Sequence, residues 1–153
     1  MKNDETLTHK LVLPTDANHH GTLYAGSLLR IALESAYATA VRFVGNEANI
    51  LLRRVLGVEC YLPVPMGTVI EIRGRPLHVT RAYLVIGLIA TPMQPNEKPW
   101  MDGLMGFVQI DDRGQPTPFQ QELNVMPATD SDWSELSARM SKLLRIRQRK
   151  TTS

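Results

Sequence analysis

A short polar segment ahead of the first long apolar stretch has residue types suited to chemistry on a carbonyl group. Residues 15–22, Thr-Asp-Ala-Asn-His-His-Gly-Thr, are rich in turn formers, and Asp16 and Asn18 can bond their own backbone to fix the loop. The small residues Ala25 and Gly26 follow, just before a predicted helix. Free N–H groups at a helix start polarise a carbonyl or hold an oxyanion. Hydrolysis at a carbonyl group needs such a donor, together with a group that positions or deprotonates water.

Hydrophobic periodicity predicts the elements that position this loop. Hydrophobicity alternates from Leu7 to Leu13, which predicts a short strand ending at Pro14. From about Ser27 to Val44, apolar residues occupy much of the helical circumference, which predicts a buried helix. Four β-rich stretches separated by turn signals follow, at residues 50–61, 68–79, 83–92 and 100–110. The pattern predicts an α+β arrangement in which a curved antiparallel sheet wraps around one central helix. Bulges or strong curvature are expected at Gly57, at Gly74 with Pro76, at Gly87, and at Gly103 with Gly106.

The C-terminal residues predict a separate amphipathic helix with a basic end. Asp132 suits an N-cap, and Glu135 stands at the third position after it. Residues 139–153 carry six bases and no acid, whereas residues 1–138 carry eleven bases and fifteen acids. We therefore divide the chain into one domain over residues 1–130 and a C-terminal helix with a basic tail over residues 131–153. The apolar face of this helix consists of Trp133, Leu136, Met140, Leu143 and Leu144.

Composition excludes several classes of protein. The 153 residues are 43% hydrophobic and 21% charged, which is ordinary for one globular domain, and no apolar run approaches the ~20 residues of a membrane span. The N-terminus is acidic, unlike a signal peptide, and Cys60 alone cannot form an internal disulfide. We expect a cytoplasmic protein with no structural metal, with Cys60 packed inside a strand and His19 and His20 in loop roles. The basic tail can attract nucleic acid, a membrane surface or a phosphate-bearing small ligand, and a solvated, partly frayed end is the alternative. Because the body is acidic and carries no recognised nucleic-acid motif, we expect no nucleic acid as a partner, and we expect no membrane partner.

The spacing Pro14-x-Asp-x-Asn-x-x-Gly-x-Leu-x-x-Gly26 resembles the acyl-CoA thioesterase branch of the hot-dog superfamily. Two further segments, Leu62 to Glu71 and Phe107 to Pro116, are similar to the family's Pro-Val step and to its final strand and turn. The resemblance covers roughly residues 7 to 118. It implies a hot-dog fold, an acyl-CoA substrate and active sites between two subunits. A homodimer is then the minimum assembly, and a trimer of dimers is the larger alternative.

The resemblance also implies roles for individual residues around the loop. Asn18 matches the asparagine that helps to place the thioester or the attacking water. Ala25 stands where the family has its first glycine, whose N–H faces the thioester oxygen, and Gly26 matches the second glycine. Tyr24 either lines the acyl pocket or packs at the entrance to the helix.

One departure from the family pattern concerns the catalytic acid. The family places Asp or Glu seven residues beyond the second glycine, where this chain has Leu33, and Glu34 stands one place later. Neighbouring helical residues differ by about 100° in direction, so Glu34 acts as general base only if the helix is rotated or locally distorted. The alternative is an ordinary surface pair between Arg30 and Glu34, four residues apart. Asp16 is the fallback acid, with a turn-forming role as its alternative.

Coenzyme A brings phosphates, so a CoA ester requires a basic rim. Residues 80–83 occupy the turn where the family often has a basic residue near the pantetheine path, which makes Arg81 the first candidate for phosphate contact. Thr80 and Arg54 are the other candidate substrate contacts on the strands. The alternative to substrate contact, for each arginine, is that its side chain lies in solvent on a strand. No cofactor is expected beyond coenzyme A as part of the substrate.

Three functions follow from these observations. The first is hydrolysis of a fatty or short acyl-CoA to free acid and CoA. In this mechanism the Ala25 N–H polarises the carbonyl, Asn18 positions water, and Glu34 of the partner chain takes the proton of that water. The second is a binding protein for acyl-CoA or another acyl thioester that has lost the helix acid, which Leu33 supports. The third, hydration or dehydration of acyl chains, requires a His/acid pair, and His78 is the only histidine in the four stretches after the helix.

Overall fold

The computed structural model describes residues 4–45, 49–93, 98–124 and 131–152, with side chains as far as Arg145 in the last helix. Within these residues a short 3₁₀ turn, Pro14–Asp16, follows the first strand. The strands and helices in chain order are β1 (Thr6–Leu11), α1 (Ala25–Val44), β2 (Asn49–Cys60), β3 (Val69–Val79), β4 (Leu84–Pro92), β5 (Met101–Ile110) and α2 (Ser131–Thr152).

The five strands form one sheet in the order β1-β3-β4-β5-β2, and every neighbouring pair is antiparallel. Ile31, Ala32, Ala36 and other apolar residues of α1 pack against one face of this sheet. The pairing register shifts within β2 around Gly57 and within β3 beside Pro76, where bulges bend a sheet. The pairing of β4 with β5 runs past Gly87, Gly103 and Gly106 without a register shift, so the bulges predicted there are absent from this pair. The prediction of a curved sheet around one central helix is confirmed.

Helix α2 covers the opposite face of the sheet. Its residues Trp133, Leu136 and Met140 form a second apolar cluster with side chains of β4 and β5, including Val85 and Leu104. Because helices cover both faces, residues 84–90 of β4 are buried without alternation. The amphipathic C-terminal helix is confirmed, whereas the division of the chain at residue 130 stays a prediction, because residues 125–130 lie outside the description.

Three local predictions were wrong. Leu7 and Leu11, predicted on an apolar strand face, are exposed because β1 is an edge strand that pairs only with β3. Cys60 is exposed, since it closes the edge strand β2 and has β5 on one side only. Helix α2 begins at Ser131, so Asp132 lies in its first turn and is not the N-cap.

No helix among the described residues is long and apolar enough to cross a membrane. The side chains of the tail bases beyond Arg145 lie outside the described residues, so their predicted role is not addressed by the structure.

Candidate active site

Asn18 holds the loop between β1 and α1 in shape. Its Oδ1 accepts hydrogen bonds from the backbone N–H of His20 at 2.9 Å and from both the N–H and the hydroxyl of Thr22 at 3.2 Å. The two backbone N–H groups determine the orientation of the amide, because each needs an acceptor and only the amide oxygen can accept. Gly21 closes the turn at φ +74°, a conformation that favours glycine. The Nδ2 group of Asn18 has no hydrogen-bond partner among the described residues, so Asn18 can act here only as a donor.

Asp16 is the buried acid of this loop. Its side chain is only 6% exposed, and its carboxylate accepts the backbone N–H of Leu13 at 3.0 Å and lies 3.2 Å from Lys10 Nζ. Arg30 of α1 reaches the other carboxylate oxygen at 3.4 Å. The Leu13 hydrogen bond, aided by the Lys10 charge and opposed by burial, lowers the pKa of Asp16 below its ordinary value. A carboxylate stabilised in this way anchors the loop and is a poor proton acceptor.

The first turn of α1 presents unused backbone donors beside this loop. The helix begins at Ala25, two residues earlier than predicted, so Ala25 and Gly26 belong to its first turn. Tyr24 N–H bonds Asp16 O, and the first intrahelical bond is Leu28 N to Tyr24 O. In the described chain no hydrogen bond is donated by the N–H groups of residues 25–27, and no side chain caps them. Such donors, with the helix dipole behind them, suit a carbonyl oxygen that gains negative charge.

Tyr24 and Gly26 form the entrance to these donors. The Tyr24 ring lies directly against Gly26, and a Cβ at position 26 would overlap the ring carbons. The ring itself is mostly exposed. The glycine is therefore required for this ring position, which places an aromatic wall beside the free N–H groups.

Glu34 lies in the middle of α1, beside a small apolar cavity. The cavity has a volume of about 360 Å³ and is lined by Leu33, Glu34, Tyr37, Leu52 and Phe107. Glu34 is 68% exposed, and its Oε1 lies 3.6 Å from Arg30 Nη1, which is the surface pair given above as the alternative. Leu33 is half-buried and packs against the core. In one chain, Glu34 is thus a solvent-facing acid at the mouth of an apolar cavity.

The helix separates the two halves of the predicted site. Glu34 follows Ala25 by nine residues, which at ~1.5 Å per residue is about 13 Å along the axis of α1. One carbonyl group cannot contact the Ala25 N–H and a water held by Glu34 of the same chain. The two groups can act on one substrate only when they belong to different chains.

The predicted phosphate contacts lie away from this loop within one chain. Thr80 and Arg81 follow the far end of β3, whose eleven residues extend about 33 Å from the loop end at Val69. Both residues line a cavity against α2. Arg54 is exposed on the edge strand β2, next to a register shift. The structure therefore does not bring Arg54, Thr80 or Arg81 to the Asn18 loop of the same chain.

Histidines do not form a metal site in the described residues. The rings of His19 and His20 lie 3.8 Å apart at the exposed tip of the loop. His78, the candidate for hydration chemistry, lines the cavity near α2 rather than the Asn18 loop. In the part of the chain that the structure describes, no group of three His, Cys, Asp or Glu side chains could hold a metal ion.

A scan against protein-family models and a search of the curated proteins find no match. Solved structures do match. The acyl-CoA hydrolase from Staphylococcus aureus, solved with butyryl coenzyme A, is 20% identical with a TM-score of 0.76, over 97% of this chain and 93% of that one. The acyl-CoA hydrolase from Bacillus cereus is 16% identical with a TM-score of 0.78, over 97% and 91%. A hexameric acyl-CoA thioesterase is 22% identical with a TM-score of 0.77, over 97% and 93%.

The chain has the hot-dog fold. The match extends over both helices and the whole sheet, and the fold predicted from the resemblance is confirmed. In this hot-dog fold, α1 is the helix enclosed by the sheet, and the polar loop ahead of it carries Asn18. Leu33 packs toward the hot-dog core, so the neighbouring Glu34 is the carboxylate that α1 presents to the cavity.

Two features of this hot-dog protein escaped the sequence analysis. One is the buried carboxylate of Asp102, which accepts hydrogen bonds from Tyr61 and Arg139 at 2.7 Å. A lone acid in the otherwise apolar stretch 100–108 was the signal available. The other is the cavity beside α2, where Arg53 and Arg145 meet the turn at Arg81. These arginines come from three distant segments, and no local pattern joins them.

Proposed function

We propose that this chain is an acyl-CoA thioesterase, which hydrolyses a fatty or short acyl-CoA to free acid and CoA at a site shared by two chains. The observation that carries the proposal is the group of free N–H donors at residues 25–27, which follow directly on the loop where the Nδ2 group of Asn18 has no partner among the described residues. Both sets of donors suit the oxygen of a thioester carbonyl, which becomes an oxyanion as water attacks. The acyl-CoA hydrolases with the same fold are consistent with this substrate class.

The carbonyl is polarised by the Ala25 N–H, and alanine keeps this donor while narrowing the approach compared with glycine. Asn18 contributes through Nδ2 only, because Thr22 and His20 already occupy its oxygen. Asn18 therefore donates to the thioester oxygen or to the oxygen of the attacking water. The Tyr24 ring forms one wall of the acyl or pantetheine path.

Water is activated by Glu34 of the second chain. Its carboxylate takes a proton from water, the water oxygen attacks the carbonyl carbon, the C–S bond breaks, and the CoA sulfur leaves with that proton. The apolar cavity beside Glu34 holds the acyl chain or excludes water from it.

A homodimer is the minimum assembly for this mechanism, and a trimer of dimers is the larger alternative. The long edge strand β2 exposes Leu51, Leu52 and Val55, which is an aggregation hazard in a lone chain and a natural contact for a second copy. One of the matched solved structures is of a hexameric acyl-CoA thioesterase. In such an assembly Arg54, Thr80 and Arg81 of one chain contact the CoA phosphates of a substrate held by another.

The test is release of free thiol from a panel of acyl-CoAs of different length. Wild type should turn over at least one ester, and Asn18→Ala should lower kcat/KM by about a hundredfold, as loss of an oxyanion donor does. Asn49→Ala is the matched control, because Asn49 is an exposed asparagine at the start of β2. Absence of turnover with every ester would overturn the proposal.

A binding protein without hydrolytic activity is the second candidate. Leu33 at the usual acid position and the exposed pair of Glu34 with Arg30 favour it. Calorimetry separates the two candidates, because a binding protein takes up acyl-CoA and releases no thiol.

A further inference from the structure

A second cavity lies on the other side of the sheet from α1. It has a volume of about 1130 Å³ and lies between the middle of α2, the start of β2, the end of β5 and the turn after β3. Its apolar lining includes Leu51, Val108 and Ile110 of the strands and Met140 and Leu144 of α2. This volume is slightly above the usual range of about 300–1,000 Å³ for small-molecule sites.

Three arginines line this cavity, one from each of three elements. They are Arg53 of β2, Arg81 of the turn and Arg145 of α2. None of the three makes an ion pair or a side-chain hydrogen bond with any described residue, and no Asp or Glu lines the cavity. The local charge of about +3 contrasts with the net acidity of residues 1–138. An apolar surface with uncompensated positive charge is complementary to an anion that carries a flat or apolar body.

Arginine favours phosphate because its planar group donates two parallel hydrogen bonds to one phosphoryl group. A single carboxylate, as in a fatty acid, would leave two of the three charges unmatched, whereas two or three phosphoryl groups match them. We propose that this cavity binds a phosphorylated nucleotide, with its phosphates on Arg53, Arg81 and Arg145 and its base on the apolar lining. A free adenine nucleotide and the adenosine phosphate end of CoA both carry phosphates and a base of this kind. Binding of CoA in this cavity rests on the function proposed above.

The cavity is separate from the thioester loop of its own chain. Arg81 follows the end of β3 that is about 33 Å from the loop, and the sheet lies between the cavity and α1. A nucleotide bound here is therefore either a free nucleotide or the nucleotide end of a CoA ester whose thioester lies at the Asn18 loop of another chain.

Isothermal titration calorimetry of the full chain with ATP and with adenosine 3′,5′-bisphosphate tests the proposal, and decanoate is the fatty-acid probe. We expect at least one nucleotide to bind to wild type, and Arg145→Gln and Arg53→Gln each to raise its Kd about tenfold. Lys142→Gln removes the same charge from an exposed position of α2 outside the cavity and should change Kd by less than about twofold. Thermal unfolding of each variant checks that it is folded.

Competition identifies the source of the nucleotide. CoA displaces ATP if its own nucleotide fills the cavity, and CoA and ATP bind together if the cavity takes a free nucleotide. The proposal is overturned if neither nucleotide binds, if the two arginine variants bind as wild type does, or if decanoate alone binds. These binding results can be read without turnover, so a failure of the thioesterase assay does not affect them.

Discussion

Arg139 of α2 donates a hydrogen bond of 2.7 Å to the buried carboxylate of Asp102 in β5. Tyr61, just after β2, donates to the other oxygen at 2.7 Å, so a single acid joins α2 to two strands. Burial and the hydrogen bond to Asp102 raise the pKa of Tyr61, which keeps its hydroxyl protonated as a donor. The contact makes α2 part of the folded unit rather than a loose tail.

Arg139→Met should lower the free energy of unfolding by about 2 kcal/mol, because it leaves a buried carboxylate with one partner. Urea unfolding measures this loss. Arg145→Met on the same helix is the control, since the Arg145 side chain has no ion pair among the described residues, and its effect should stay within about 0.5 kcal/mol. Equal stability of wild type and Arg139→Met would show that α2 is held by its apolar face alone.

Gly106→Ala should destabilise the protein by about 2 kcal/mol, because a Cβ at position 106 would overlap the hydroxyl end of Tyr83. Gly57→Ala on the paired strand has nothing within 4 Å of the added carbon and is the matched control. Thermal or urea unfolding compares the two variants. Similar losses for both would mean that backbone entropy and not the Tyr83 contact governs position 106.

Asp16 should make stability depend on pH in the acid range. Its pKa is lowered in the folded chain, so it stabilises the fold above the unfolded value of about 3.9, and this contribution is lost as pH falls through the folded pKa. The difference in unfolding free energy between wild type and Asp16→Asn should therefore be largest near pH 6 and shrink toward pH 2. Urea unfolding at a series of pH values measures it. A difference that stays constant with pH would contradict the role of the charge.

Glu34→Gln should lower kcat for acyl-CoA hydrolysis by about a hundredfold or more and leave CoA binding unchanged, because the amide cannot accept the proton of water. Thiol release and calorimetry measure the two quantities. Glu122→Gln, at an exposed acid far along the chain from α1, is the control. Unchanged turnover in Glu34→Gln would remove Glu34 from the mechanism and direct attention to another acid.

Val55→Asp should break the assembly and abolish activity together, since it places a charge on the exposed apolar edge of β2. Light scattering after size-exclusion chromatography gives the mass of the particle. Leu7→Asp introduces the same charge on the other edge strand and should keep a dimer and measurable turnover. A monomer that retains full activity would refute the two-chain site.

The elements of this protein could be predicted from the sequence because their signals are local. The apolar circumference of residues 27–44 and the turn-separated strands repeat with the periods of helix and sheet, and the spacing from Pro14 to Gly26 identified the loop that carries Asn18. The start of α1 was predicted two residues late, since Tyr24 provides no side-chain cap to mark it.

The tertiary structure decided what depends on contacts between distant segments. The exposure of Glu34, the contact between Asp102 and Arg139, and the position of three arginines around one cavity all depend on how segments far apart in the chain pack together. Hydrophobic pattern specifies which face of an element is buried, but not which charged side chains meet when elements pack. That depends on strand order and on where α2 crosses the sheet, which no local period encodes.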